Sequence, residues 1–226
     1  MLLAILLVLG ASLLGGWAQH AVQKHYRANL KVPNQAGMSG AEVAQAILRS
    51  EGLHEVPVER VEGTLSDHYD PRAKVLRLSG PVYDGRNLAA MGIAAHEAGH
   101  ALQQLHRYGP LTLRSFTVPS ARLGSLLGLP LLLVGAMLHN PLLVVLGLVF
   151  YLIVVIFQMI TLPVEIDASK RAIQSLDGLR LLRTEQEVHG VTAVLNSAAL
   201  TYVAAALAGL SMLLYYALMI FGGRRN

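Results

Sequence analysis

In His96-Glu97-Ala98-Gly99-His100 two imidazoles stand four residues apart with a carboxylate beside the first. On an α-helix that spacing puts both histidines on one face, where they can grip a single metal ion while Glu97 handles a proton. Two histidines and one further protein ligand are the donor set of a hydrolytic zinc site, which keeps a fourth position open for water. The chain has no cysteine, so disulfides, thiolate ligands and a cysteine nucleophile are excluded, and a metal site here must use histidine and carboxylate. The competing reading is a surface helix that carries these five letters by chance. Its surroundings decide between the two.

Those surroundings are mostly apolar. Of 226 residues 54% are hydrophobic and 14% charged, and the mean hydropathy is +0.48, which is too apolar for an ordinary soluble domain. The chain therefore reads as an integral membrane protein. A formal charge of +4, with basic residues beside apolar runs and without interleaved aromatics, makes nucleic acid an unexpected partner. Four runs approach the roughly 20 residues that a helix needs to cross a bilayer. They are 2–18, 121–138, 141–163 and 199–221. The first lacks a basic leader and a small-x-small cleavage site, so it reads as a retained anchor. His139-Asn140-Pro141 is long enough only for a turn, so the second and third runs form a hairpin whose outer ends emerge on one side.

Lys24, Arg27, Lys31, Arg107, Arg114, Arg122, Lys170, Arg171, Arg180 and Arg183 flank that side, and the positive-inside tendency makes it cytoplasmic. Arg224 and Arg225 argue the other way. The layout is then an anchor at 1–18, a water-facing part at 19–120 with the motif helix, a hairpin at 121–163, a water-facing helical part at 164–198 and a last span at 199–221.

Within the first water-facing part, Ser39 followed by Glu42 is a capping-box signature for a helix over 41–50, closed by Gly52. Val56 to Val61 and Lys74 to Ser79 alternate as strands do, with turn chemistry at Asp70-Pro71-Arg72. Asp84 is the expected cap of the motif helix, which runs from about Arg86 to Gln103 or His106. The strand before that helix either offers an exposed edge to a substrate peptide or covers the helix with Val75, Leu76 and Leu78. The fold class is a mainly α membrane protein with about four transmembrane helices and a small α+β body containing a short sheet.

Two carboxylates compete to be the third ligand. Glu165 follows the third span in Leu162-Pro163-Val164-Glu165. Asp177 lies in Leu176-Asp177-Gly178, which matches a short signature of intramembrane site-2 proteases. The hairpin favours Glu165, because it returns the chain to the interface it left, whereas Asp177 sits about three helical turns farther on among Lys170, Arg171, Arg180 and Arg183. A carboxylate near a helix start is also often just a favourable dipole contact.

Taken together these residues resemble the YugP-like membrane zinc metallopeptidases and, more distantly, gluzincins of the HtpX and CAAX-prenyl-protease type. The resemblance rests on Asp67-His68-Tyr69-Asp70-Pro71, Leu76-Arg77-Leu78-Ser79, Val82-Tyr83-Asp84-Gly85-Arg86, Ala94 to Gln103, Leu162 to Ala172 and Ala198 to Ala205. It implies a zincin-like catalytic body, Zn2+ held by His96, His100 and Glu165, and a hairpin inserted between the two metal-binding helices. One departure stands out. Gluzincins commonly carry an aspartate four residues after the ligand glutamate to orient a histidine, and this chain has Ser169 there, which leaves Asp167, Asp70 or Asp84 as alternatives.

On this reading Glu97 is the general base. Tyr202, His68, His189 or an arginine near Glu165 stabilises the oxyanion, and Tyr202 is preferred because it resembles a family feature, although a tyrosine at that depth also serves as an interfacial anchor. His20, His25, His54, His106 and His139 read as surface or interface histidines. Expected partners are the lipid bilayer and polypeptide substrates, including membrane proteins or their exposed tails. Two other readings remain: a site-2-type protease using Asp177, and a membrane scaffold with structural metal.

Overall fold

The computed structural model describes residues 2–63 and 66–222; the arginines at 224 and 225 that bear on topology lie outside them. Among the described residues seven helices and three strands follow in the order α1 (Leu2–Leu30), α2 (Gly40–Ser50), β1 (Val58–Val61), β2 (His68–Asp70), β3 (Val75–Ser79), α3 (Gly80–Tyr83), α4 (Leu88–Leu105), α5 (Gly109–Met137), α6 (Pro141–Gly178) and α7 (Glu185–Gly222). The protein is thus mainly α, with a small three-stranded sheet. Helices α1, α5, α6 and α7 are long and apolar enough to cross a membrane. Each extends beyond its apolar run at one end or both. Pro163 lies inside α6 and does not end it.

The chain divides into two compact units. The first comprises Met1–Ala18, Gly109–Pro163 and Thr201–Asn226. Its α5–α6 turn is as tight as His139-Asn140-Pro141 predicts. His139 takes a positive φ of 52°, and the Asn140 side chain accepts from the Leu142 and Leu143 N–H groups at 3.0 and 3.3 Å, capping α6 ahead of its proline. Glycines set the spacing of this hairpin. A Cβ on Gly124, Gly128 or Gly135 would meet the backbone of Phe150, Tyr151 or Val144, and one on Gly147 would meet that of Leu132. Small residues of this kind let apolar helices approach where lipid offers no hydrophobic driving force.

The second unit comprises Gln19–Tyr108 and Val164–Leu200. Its sheet has the order β1-β3-β2, with β1 parallel and β2 antiparallel to β3. Strand β3 is therefore central, which removes it as a free edge for peptide; Val75, Leu76 and Leu78 are buried, and Leu76 and Leu78 share a core with Met91, Ala94, Ala95 and Ala98 of α4. Arg77 on β3 reaches Glu59 on β1 at 3.1 Å and Asp70 on β2 at 3.3 Å, tying the three strands on their polar face.

Three caps fix the helices of this unit. In α2 the capping box forms as expected, with the Ser39 N–H donating to the Glu42 carboxylate at 2.7 Å and the Glu42 N–H to Ser39 Oγ at 3.2 Å. The motif helix α4 is capped by Asn87, whose side chain accepts from the Ala90 N–H at 3.0 Å. Asp84 instead closes the extra turn α3 and pairs with Arg60 at 3.1 Å. At the start of α7 the buried Glu187 carboxylate accepts from the N–H groups of Gln35, Arg183 and Thr184.

Candidate metal centre

Helix α4 carries His96, Glu97 and His100, and α6 carries Glu165, all within the second unit. The helices meet at Gly99, where a Cβ would stand 2.5 Å from the carbonyl oxygen of Ala168. That approach brings the ligating atoms together. His96 Nε2 lies 3.1 Å and His100 Nε2 3.8 Å from the same Glu165 Oε2, with the two rings edge to face at 4.9 Å between centroids. Among the described residues, these three form a group able to hold a metal ion, with one donor atom from each lying within 4.8 Å of the others. Glu165 is only 3% exposed, and a carboxylate so far from water needs a cationic partner.

The side chains behind the donors are themselves held. His96 Nδ1 lies 3.1 Å from Ser169 Oγ, so the serine four residues after Glu165 contacts the histidine. His100 Nδ1 lies 3.0 Å from Gln103 Oε1. Gln103 donates to the Val164 carbonyl at 2.7 Å and to Asp167 at 2.9 Å, and Asp167 accepts from Arg171 at 2.6 Å. Asp167 thus connects to His100 through Gln103. Asp70 and Asp84 pair with Arg77 and Arg60. Gln103 itself was not foreseen, because a glutamine one turn after a histidine has no meaning until the facing helix is known.

Glu97 accepts the Tyr69 N–H at 3.1 Å on Oε2. Tyr69 is anchored in turn by its hydroxyl, which donates to Gln104 at 2.5 Å, and burial pushes its phenol up to about 12. Strand β2 is thereby pinned to α4 beside the motif. Burial raises the Glu97 carboxyl above the usual carboxylate range; nearby His96 opposes this, Glu165 and Asp67 add to it, and the Tyr69 N–H offsets part of it.

Comparisons with known proteins give the family. A family model described as "Putative neutral zinc metallopeptidase" matches residues 4–221. The chain is 46% identical over 224 residues to the "Putative membrane protease YugP" of Bacillus subtilis (strain 168), covering 99% of each. It belongs to the YugP-like zinc metallopeptidase family. No solved structure matches it. Membership in the YugP-like family, with four spanning-length helices, makes this a multi-pass membrane protein, and with the candidate triad it supports a protease role.

The remaining candidates are carried by α6, β2 and α7. Asp177 is exposed near the end of α6, twelve residues and thus about 18 Å along the axis from Glu165. His68 on β2 and His189 on α7 are exposed. Tyr202 lies on α7 within the first unit and is partly buried.

Proposed function

We propose that this protein is a membrane-embedded zinc-dependent endopeptidase of the gluzincin type, with His96, His100 and Glu165 as metal ligands and Glu97 as general base. The observation that carries this reading is the convergence of both Nε2 atoms on one buried Glu165 oxygen at 3.1 and 3.8 Å. Ligands at zinc-like bond lengths on a tetrahedron stand about 3.3 Å apart, so the two distances bracket what that ion requires. Two imidazoles and one carboxylate are also a donor set of catalytic zinc. A zinc ion held there supplies Lewis acidity, lowering the pKa of water and polarising a scissile carbonyl.

The chain's own groups do the rest. Glu97 takes a proton from the attacking water as its oxygen bonds to the carbonyl carbon, then delivers it to the leaving amine as the C–N bond breaks. The Tyr69 N–H holds one carboxylate oxygen and leaves the other for this transfer. Tyr202 is the proposed donor to the developing oxyanion, on the strength of the family resemblance at 198–205.

Substrates in this reading are polypeptides at the membrane surface, including membrane proteins and their exposed tails. The basic residues flanking the spans support a site on the cytoplasmic side. The divisions 1–18, 121–163 and 199–221 serve as membrane anchor, hairpin and last span, and 19–120 with 164–198 as the catalytic body. The test is zinc content together with cleavage of casein or a membrane protein by purified wild type and Glu97→Ala. We expect zinc in both and cleavage only in wild type. A cellular phenotype that survives Glu97→Ala would favour a structural metal site in a scaffold.

A further inference from the structure

Gln103 is an uncharged polar side chain with 0% exposure, wedged between the two helices that carry the candidate ligands. Its amide is fully engaged. Nε2 faces the Val164 carbonyl at 2.7 Å and the Asp167 carboxylate at 2.9 Å, and Oε1 faces His100 Nδ1 at 3.0 Å. The chemistry of these neighbours dictates the amide's orientation. A carbonyl and a carboxylate only accept, so both must receive the NH2 group, and the amide oxygen is left for His100.

It follows that His100 Nδ1 is the donor. A neutral imidazole carries one N–H, so Nε2 keeps its lone pair, and Nε2 is the atom turned toward Glu165. Asp167 is itself held by Arg171, whose Nη1 lies 2.8 Å from His106 Nδ1. The polar groups form a ladder: His100, Gln103 and the C-cap His106 recur every three residues along α4 and its end, and Val164, Asp167 and Arg171 recur at three and four along α6. Ser169 beside His96 has no such authority, because a hydroxyl can donate or accept and so imposes no tautomer.

We propose that Gln103 is a positioning residue that locks His100 in its Nδ1–H tautomer and ties it, through Val164 and Asp167, to the helix bearing Glu165, so that the donor geometry is set before a metal arrives. This rests on His100 and Glu165 being metal ligands. Second-sphere partners of this kind change metal affinity by about 10–100-fold when removed.

The experiment uses the full-length protein in detergent, loaded with Zn2+ in competition with a chromophoric chelator and separately with Co2+ for its visible absorption spectrum. Gln103→Met keeps most of the volume and removes the amide. It should lose about 10–100-fold in Zn2+ affinity and change the Co2+ bands. Gln103→Glu alone would set a carboxylate against the Val164 carbonyl and Asp167, so it is combined with Asp167→Asn, whose amide can donate to it. The double variant keeps an acceptor facing His100 and should recover most of the affinity lost in Gln103→Met, with the wild-type bands. Ser169→Ala should cost less than Gln103→Met. Wild-type affinity and spectrum in Gln103→Met would overturn the proposal, and so would an equal loss in both Gln103 variants, which would mean that the residue only fills space. If Gln103→Met does not fold, Gln103→Asn, one methylene short of His100, is read by the same criteria. A wild-type protein that binds neither metal would overturn the ligand assignment and this proposal with it, whereas a fault confined to the Gln103 variants leaves that assignment standing.

Discussion

Gly99 and Ala168 touch backbone to backbone: the position a Cβ would take on Gly99 is 2.5 Å from the Ala168 carbonyl oxygen. Gly99 lies between Glu97 and His100, and Ala168 is one turn after Glu165, so this contact sets how closely the donors of α4 approach those of α6. Gly99→Ala must push the helices apart. We expect a loss of about 1–3 kcal/mol in stability from overpacking, accompanied by weaker metal binding. Thermal melts and chelator competition on the same preparation check both; unchanged metal affinity would detach the contact from the site.

Glu97→Gln should leave zinc bound while lowering kcat by about 10²–10⁴-fold, the range of a lost general base. The base works deprotonated, so wild-type kcat/KM rises with pH through the pKa that Glu97 has in the zinc-loaded enzyme. An acid limb unchanged in Glu97→Gln would argue against Glu97 as the titrating base.

The burial that raises the Glu97 pKa has a stability consequence in the metal-free protein. A carboxyl with a raised folded pKa contributes stability that is fully present below its unfolded value and lost as pH rises through the folded one. Metal-free Glu97→Gln should therefore be more stable than metal-free wild type at neutral pH, and the difference should vanish in acid. Melting temperatures of chelator-treated samples across pH test the sign.

Asn87→Ala should destabilise the catalytic body by about 1 kcal/mol, because it removes the side-chain cap of α4. Asp84→Asn touches only an exposed pair with Arg60 and should change stability by less than about 0.5 kcal/mol. Chemical denaturation of the two variants distinguishes the caps.

That pair of residues illustrates what could be read from sequence. Ser39 with Glu42 and His96 with His100 act over three or four residues, and the turn at His139-Asn140-Pro141 is just as local, so their spacing already contains their geometry. Asp84 and Asn87 are both good cap residues, and choosing between them requires knowing that Gly80–Tyr83 forms its own turn of helix. Strand β2 has three polar or aromatic residues without apolar alternation, and it exists because β3 offers an edge and Tyr69 is held by Glu97 and Gln104. The order β1-β3-β2, which makes β3 central, depends on pairings between distant segments. Gln103 was illegible for the same reason: its partners lie 61 and 64 residues away.

Whether Glu165 completes a zinc site with His96 and His100 is decided by metal analysis of purified wild type, Glu165→Gln and Asp177→Asn. Stoichiometric zinc is expected in wild type and Asp177→Asn, with zinc lost from Glu165→Gln. Stoichiometric zinc retained in Glu165→Gln, or lost from Asp177→Asn alone, would contradict Glu165 as the third ligand.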